Sequence, residues 1–178
     1  SSPTITLATS ATSIAENAGS SLTLTATSSI AADEDITVVI DTSGTGIEGT
    51  DYGTISDITI SAGATTGTAT FTPTDDSIFE GNETGIVAID SVSGADAAES
   101  GSQSVTITIT ENESAPTVTL STSATSIAEN AGSSLTLTAT LSVATTADVT
   151  VGISTSGTGT EGTDYSTISD ITISAGAT

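Results

Sequence analysis

Polar and apolar residues alternate along most of this chain, with threonine and serine in one phase and isoleucine, valine, leucine or alanine in the other. A period of two places every second side chain on the same face of an extended strand, so the pattern predicts half-buried β-strands. Seven such runs stand out: residues 4–7, 21–26, 35–40, 58–60, 68–71, 84–92 and 105–109. Within 21–26, Leu22, Leu24 and Ala26 share one face. The intervening stretches, such as Ser43-Gly44-Thr45-Gly46 and Ser61-Ala62-Gly63-Ala64, carry the small residues of turns. Short strands punctuated in this way predict an all-β fold, a seven-stranded antiparallel immunoglobulin-like β-sandwich with Ile, Val and Leu inside and Thr outside.

The pattern then recurs. Residues 3–65 align without a gap on residues 116–178, an offset of 113, with about fifty of roughly sixty positions identical. Ser13-Ile14-Ala15-Glu16-Asn17 returns as Ser126-Ile127-Ala128-Glu129-Asn130, and Gly49-Thr50-Asp51-Tyr52 as Gly162-Thr163-Asp164-Tyr165. The expected organisation is a complete sandwich over 1–113 and the first half of a near-identical repeat over 114–178. Half a sandwich leaves its inner face and an edge uncovered, so the missing strands are expected from the same chain or, in trans, from an identical subunit. The connection, Thr110-Glu111-Asn112-Glu113-Ser114-Ala115-Pro116, is too short and too proline-bounded for a long tether, which predicts repeats stacked end to end.

Composition supports the strand reading, because β-branched residues pack well on a pleated surface while Lys, Arg and Met are absent. Charge changes the picture more. There are 22 Asp plus Glu and no Lys, Arg or His, for a formal net charge of -22. Nucleic acid is excluded as a partner, since phosphate contacts need cationic side chains, and an anionic membrane surface is disfavoured for the same reason. No run of about 18 apolar residues is present to insert into a membrane. Zero cysteines in a repeat of this kind point to a secreted or cell-surface protein, of bacterial type, made rigid by means other than disulfides.

The missing residue types also remove most catalytic chemistry. Without His, Cys or Lys there is no Ser-His pair, thiolate or Schiff base. A pair of carboxylates could serve a glycosidase, but two Tyr, two Phe and no Trp offer little for a sugar to stack on. The expectation is a protein that is not an enzyme.

The carboxylates are unevenly spread. Asp75, Asp76, Glu80 and Glu83 fall within nine positions, in the loop Thr74-Asp75-Asp76-Ser77-Ile78-Phe79-Glu80-Gly81-Asn82-Glu83-Thr84. Such a cluster repels itself unless a cation joins it. Glu16, Asp51 and the run Glu111-Asn112-Glu113 also fall at strand ends, where a sandwich can gather them at one pole. All-oxygen donors suit calcium, which accepts six to eight oxygens in loose geometry, better than magnesium. Asp33, Glu34, Asp35, Asp57, Asp90, Asp96 and Glu99 read as solvated surface charges.

These motifs resemble the Calx-beta domain, a module first known from sodium-calcium exchangers and integrin β4. The resemblance rests on Ser13-Ile14-Ala15-Glu16-Asn17, on Gly49-Thr50-Asp51-Tyr52, on the Asp75-Asp76 loop and on the closing Val105-Thr106-Ile107-Thr108-Ile109 with its acidic tail. It implies calcium at one end of the sandwich, with carboxylates from Glu16, Asp51, Asp75, Asp76, Glu80 and Glu83 and the carbonyl of Ile78. The tail would add Glu111, Asn112 and Glu113; here the chain departs from the all-Asp tail common in the family. In the second repeat Glu129 and Asp164 match.

The expected function is a calcium-stiffened stalk, fibre or filament built from tandem repeats. The alternative is an adhesin or accessory module that binds glycans or proteins through its loops. Asn82-Glu83-Thr84 and Asn112-Glu113-Ser114 fit the glycosylation sequon, a short pattern that arises by chance and here overlaps the implied ligands. Tyr52 and Tyr165 are expected to brace loops.

Overall fold

The computed structural model describes residues 2–178. Its strands in chain order are β1 (Thr4–Thr9), β2 (Ser13–Ala15), β3 (Leu22–Ser28), β4 (Ile36–Gly44), β5 (Ile58–Ile60), β6 (Thr66–Phe71), β7 (Ile78–Phe79) and β8 (Glu83–Ser93). They continue with β9 (Ala98–Glu99), β10 (Ser104–Thr110), β11 (Val118–Thr122), β12 (Leu137–Leu141), β13 (Ala144–Thr145), β14 (Val149–Val151) and β15 (Ile171–Ile173). The described residues divide into two compact units. One comprises the residues up to Asp76 with Gly81–Asn112, and the other Ser77–Glu80 with Glu113–Thr178.

The first unit is a sandwich of two sheets, ordered β6-β3-β1-β9 and β2-β10-β8-β4-β5. Alternation drives its core directly. Ile5 and Leu7 of β1, Leu22, Leu24 and Ala26 of β3 and Phe71 of β6 face Ile36 and Val38 of β4, Ile58 and Ile60 of β5, Val87 and Ile89 of β8, and Ile107 and Ile109 of β10. Each fully buried side chain of this size contributes about 1.5–3 kcal/mol by leaving water.

All seven predicted strands are present, and two more join them. β2 runs parallel to β10, with Ser13 opposite Thr108 and Ala15 opposite Thr110. β9 runs parallel to β1. The first stretch of the domain therefore switches sheets between Thr9 and Ser13, from β1 in one sheet to β2 at the edge of the other. Both added strands are only two or three residues long, too short for alternation to register.

Two glycines are required by close approach. Gly44 closes β4 at φ 120, and a side chain there would run into the carbonyl of Thr84. A Cβ on Gly85 would lie 2.6 Å from the Phe71 ring, which stacks on Tyr52 with centroids 4.6 Å apart. Tyr52 thereby braces its loop from inside the core.

The second unit contains three two-stranded pairings: β11 with β12, β14 with β15, and β13 in parallel with β7. Its small core holds Ala139, Leu141 and Ile173, with Val149, Val151 and Ile171 packed against them. Several positions that are buried in the first unit are open here. Ile5 is 0% exposed and its counterpart Val118 44%; Leu7 is 7% exposed and Leu120 54%; Ile14 is 8% exposed and Ile127 46%.

Candidate cation site at one pole of the first unit

Strand register gathers the acidic residues at one end. β2 and β10 finish side by side, Ala15 opposite Thr110. β8 starts there, with Glu83 opposite Ile109, and β4 ends there, with Gly44 opposite Gly85. Glu16 follows β2, Glu111 follows β10, and Asp51 lies in the loop after β4, which is tied to the segment after β6 by the Thr74 N–H donating to the Asp51 carbonyl at 2.9 Å. Glu16, Asp51, Glu83 and Glu111 are thus brought to one pole of the first unit.

Backbone groups hold these carboxylates in place. Glu16 is buried; its N–H donates to the Thr110 carbonyl at 3.0 Å and its Oε1 accepts from the Asp76 N–H at 3.1 Å. Asp51, also buried, accepts from the Ile47 N–H at 2.6 Å through Oδ2. Glu111 accepts from the Gly81 N–H at 2.8 Å and the Asn112 N–H at 2.9 Å, while its own N–H donates to Asn82 Oδ1 at 3.0 Å. These bonds fix both the acceptors and the loops that donate to them.

The result is two pairs of carboxylates. Glu16 and Glu111 present oxygens within 4.8 Å of each other, and so do Asp51 and Glu83. Two unit charges at such a separation repel by roughly 3 kcal/mol at an effective dielectric of about 20. Ordinarily a lysine or arginine offsets this, but the chain has neither. The donor set is oxygen only, which fits a hard divalent cation of calcium's size and coordination habit.

The other implied ligands are placed less uniformly. Asp75 is exposed, and Asp76 turns its backbone N–H to Glu16. Ile78, Glu80 and Glu113 belong to segments of the second unit and are half-buried there; Asn112 is exposed. Among the described residues, Glu129 and Asp164 fall in no cluster of three acidic groups close enough to share an ion. Asp164 instead accepts from the Thr160 N–H at 2.7 Å, as Asp51 does from Ile47.

Sequence reasoning missed Glu48. Its Oε1 accepts from the Ile55 N–H at 2.6 Å and its Oε2 from the Thr42 hydroxyl at 2.7 Å, closing the loop that carries Asp51. Glu161 repeats this with Ile168 at 2.7 Å and Thr155 at 2.8 Å. Those two hydrogen bonds, first the one from the Ile168 N–H, hold the Glu161 carboxyl below its ordinary pKa. A glutamate repeated one residue before each Gly-Thr-Asp-Tyr was the available signal. Burial above all pushes the Tyr52 phenol above its ordinary value, with the Glu48 and Asp51 charges adding to the rise and a hydrogen bond with Thr42 opposing it.

Several charges read as merely solvated have structural tasks. Asp57 accepts from the Ile40 N–H at 3.0 Å beside the β4 bulge, Asp35 from Ala62 at 2.8 Å, Glu34 from Ala95 at 2.5 Å, and Glu99 from Gln103. Each satisfies a backbone N–H that no ladder reaches.

Sheet order, the first stretch that switches sheets and the acidic pole together define an immunoglobulin-like sandwich with a candidate cation-binding end. The Calx-beta domain model matches residues 1–113 and again 111–174. The chain belongs to the Calx-beta family. Its structure is similar to that of the apo form of the Calx CBD1 domain, with a TM-score of 0.51 and 18% identity, over 62% of this chain and 99% of that one. A likeness to the CBD12 structure from CALX1.2 has a TM-score of 0.47 and 20% identity, over 55% of this chain and 39% of that one. No curated protein matches the chain.

Proposed function

We propose that the chain is a non-enzymatic, calcium-stiffened segment of a secreted or cell-surface repeat protein, a stalk or fibre of bacterial type. The observation that carries this reading is the pairing of carboxylates at one pole, Glu16 with Glu111 and Asp51 with Glu83, in a chain with no cationic side chain to offset them. Bound calcium would be held by these groups, with Asp75 and Asp76 on the adjoining loop and Ile78, Glu80, Asn112 and Glu113 as the further ligands that the family resemblance implies. It supplies positive charge where repulsion otherwise opens the loops. Binding to the native pole alone stabilises by mass action, about 2.7 kcal/mol at a hundredfold excess over Kd.

The exposed apolar face of the second unit supports a second element of the reading. Val118, Leu120 and Ile127 are covered in the first unit's version of the same sequence. Strands from a neighbouring repeat or an identical subunit complete that face, which is how a chain of such units grows into a fibre.

Calorimetric melting with calcium, magnesium and chelator tests the calcium reading. The expected result is a melting transition raised by roughly 10 °C or more in saturating calcium, little changed by magnesium, and restored by chelator. A melting curve indifferent to calcium overturns it.

A further inference from the structure

The first unit carries a cleft of about 280 Å3 lined by Pro3, Ile30, Ala31, Ala32, Asp33 and Ala95. It lies just under the range of about 300 Å3 upward that holds a drug-sized molecule, and it is open to solvent. Ile30 at its mouth is 41% exposed.

The second unit shows the equivalent backbone in use. At the 113-residue offset, Ala31 and Ala32 correspond to Ala144 and Thr145, which form β13 and pair in parallel with Ile78 and Phe79. The frame around both pairs is the same. The Ala32 carbonyl accepts from the Gly63 N–H at 2.7 Å and the Thr145 carbonyl from the Gly176 N–H at 2.8 Å. Asp35 Oδ1 accepts from the Ala62 N–H at 2.8 Å, and Asp148 Oδ1 from the Ala175 N–H at 2.9 Å. Ser29 N–H donates to the Thr4 carbonyl at 2.9 Å and Ser142 N–H to the Thr117 carbonyl at 3.0 Å. One frame holds an Ile-Phe strand, and its twin opens onto the cleft.

We propose that the Ala31–Ala32 edge and its cleft form a docking site for an Ile-Phe strand, of the kind seen at 78–79, carried by another copy of this repeat. This rests on the tandem-repeat reading above. Pairing at a short edge by parallel backbone bonds, with apolar side chains entering a pocket beside it, is strand addition in its smallest form. The small side chains of Ala31 and Ala32 let an incoming backbone approach. Charge sets the terms: Asp33 and Glu34 stand where the second unit has Thr146 and Ala147, and the Ile-Phe segment is flanked by Asp75, Asp76 and Glu80. Like charges therefore oppose docking at low salt, and screening strengthens it.

The test places another copy of residues 1–115 directly in front of Pro3, so that Pro3 follows Ala115 as Pro116 does between the chain's own repeats. Amide hydrogen exchange is then followed at residues 30–33 of the original first unit. Exchange there should slow at least tenfold relative to the 178-residue chain and slow further at higher salt. Ile78→Ser with Phe79→Ser in the added copy should abolish the protection. Asp33→Thr, the residue that the second unit carries at the equivalent position Thr146, should increase it. Identical exchange in the extended and original chains overturns the proposal, as does protection that survives the Ile-Phe replacement. Calcium-dependent melting of the same proteins reports separately on the acidic pole, so loss of one result leaves the other standing.

Discussion

Glu16 holds Asp76 in place across sixty residues of chain, its Oε1 accepting the Asp76 N–H at 3.1 Å. A buried carboxylate thus positions the loop that carries the densest acidic sequence, and the same side chain faces Glu111.

These two tasks separate on mutation. Glu16→Gln keeps an acceptor and deletes the charge that repels Glu111, so the melting temperature in chelator should hold or rise while the calcium-induced rise shrinks by half or more. Glu16→Ala should also destabilise the chelated protein by about 1–3 kcal/mol, because the Asp76 N–H loses its partner. Thermal melts of the three proteins with and without calcium decide it, and a full calcium response in Glu16→Gln would remove Glu16 from the ligand set.

Packing at Gly85 offers a test independent of any ion. Gly85→Ala pushes a methyl group against Phe71, which is stacked on Tyr52, and overpacking of this kind costs about 1–3 kcal/mol. The denaturation midpoint of the first unit should fall. An unchanged midpoint would contradict this close contact of Gly85 with Phe71.

Tyr52 predicts behaviour at high pH. Its folded pKa lies above the ordinary 10.0, so its contribution to stability is fully present below 10.0 and disappears as pH rises through the folded value. Absorbance titration should show one phenol ionising late and together with unfolding, and Tyr52→Phe should delay the alkaline transition. A Tyr52 phenolate that forms at the ordinary pH in the folded protein would argue against its burial.

Glu161 gives the opposite limb. Its folded pKa is lowered from 4.5, so the loop's support is present above that value and is lost as pH falls through the folded pKa. The Ile168 amide resonance should titrate with a midpoint below 4.5, and Glu161→Gln should flatten that titration.

The open apolar face of the second unit should also announce itself in solution. Val118→Thr with Leu120→Thr should lower binding of a hydrophobic dye and reduce any self-association seen by sedimentation. Equal dye binding by the wild type and the variant would show that the face is covered by some other means.

How much of this the sequence disclosed depends on the range of the interaction. Alternation alone located β1, β3, β4, β5, β6, β8 and β10, because burying every second residue is a local rule. It missed β2 and β9, where only one or two apolar residues mark the strand and pairing with a distant neighbour makes it. At the pole, the acidic residues were visible as a class. Their pairing was not, since Glu16 meets Glu111 only through the parallel register of β2 with β10. Glu48 was overlooked, and Asp57 and Glu34 were read as solvated, for a related reason: each serves a backbone N–H that is left over only once the ladders have formed.

The parallel seam of β2 and β10 has a mechanical consequence. Once β1 has yielded, traction along the chain pulls β2 toward its beginning and β10 toward its end, so the two strands are driven past each other. The bonds of the seam, among them Thr108 N–H to the Thr12 carbonyl at 2.9 Å and Glu16 N–H to the Thr110 carbonyl at 3.0 Å, then carry the load together instead of opening one at a time. Glu16 and Glu111 sit at the trailing end of that seam, and an ion clasped between them would act as a rivet against tension.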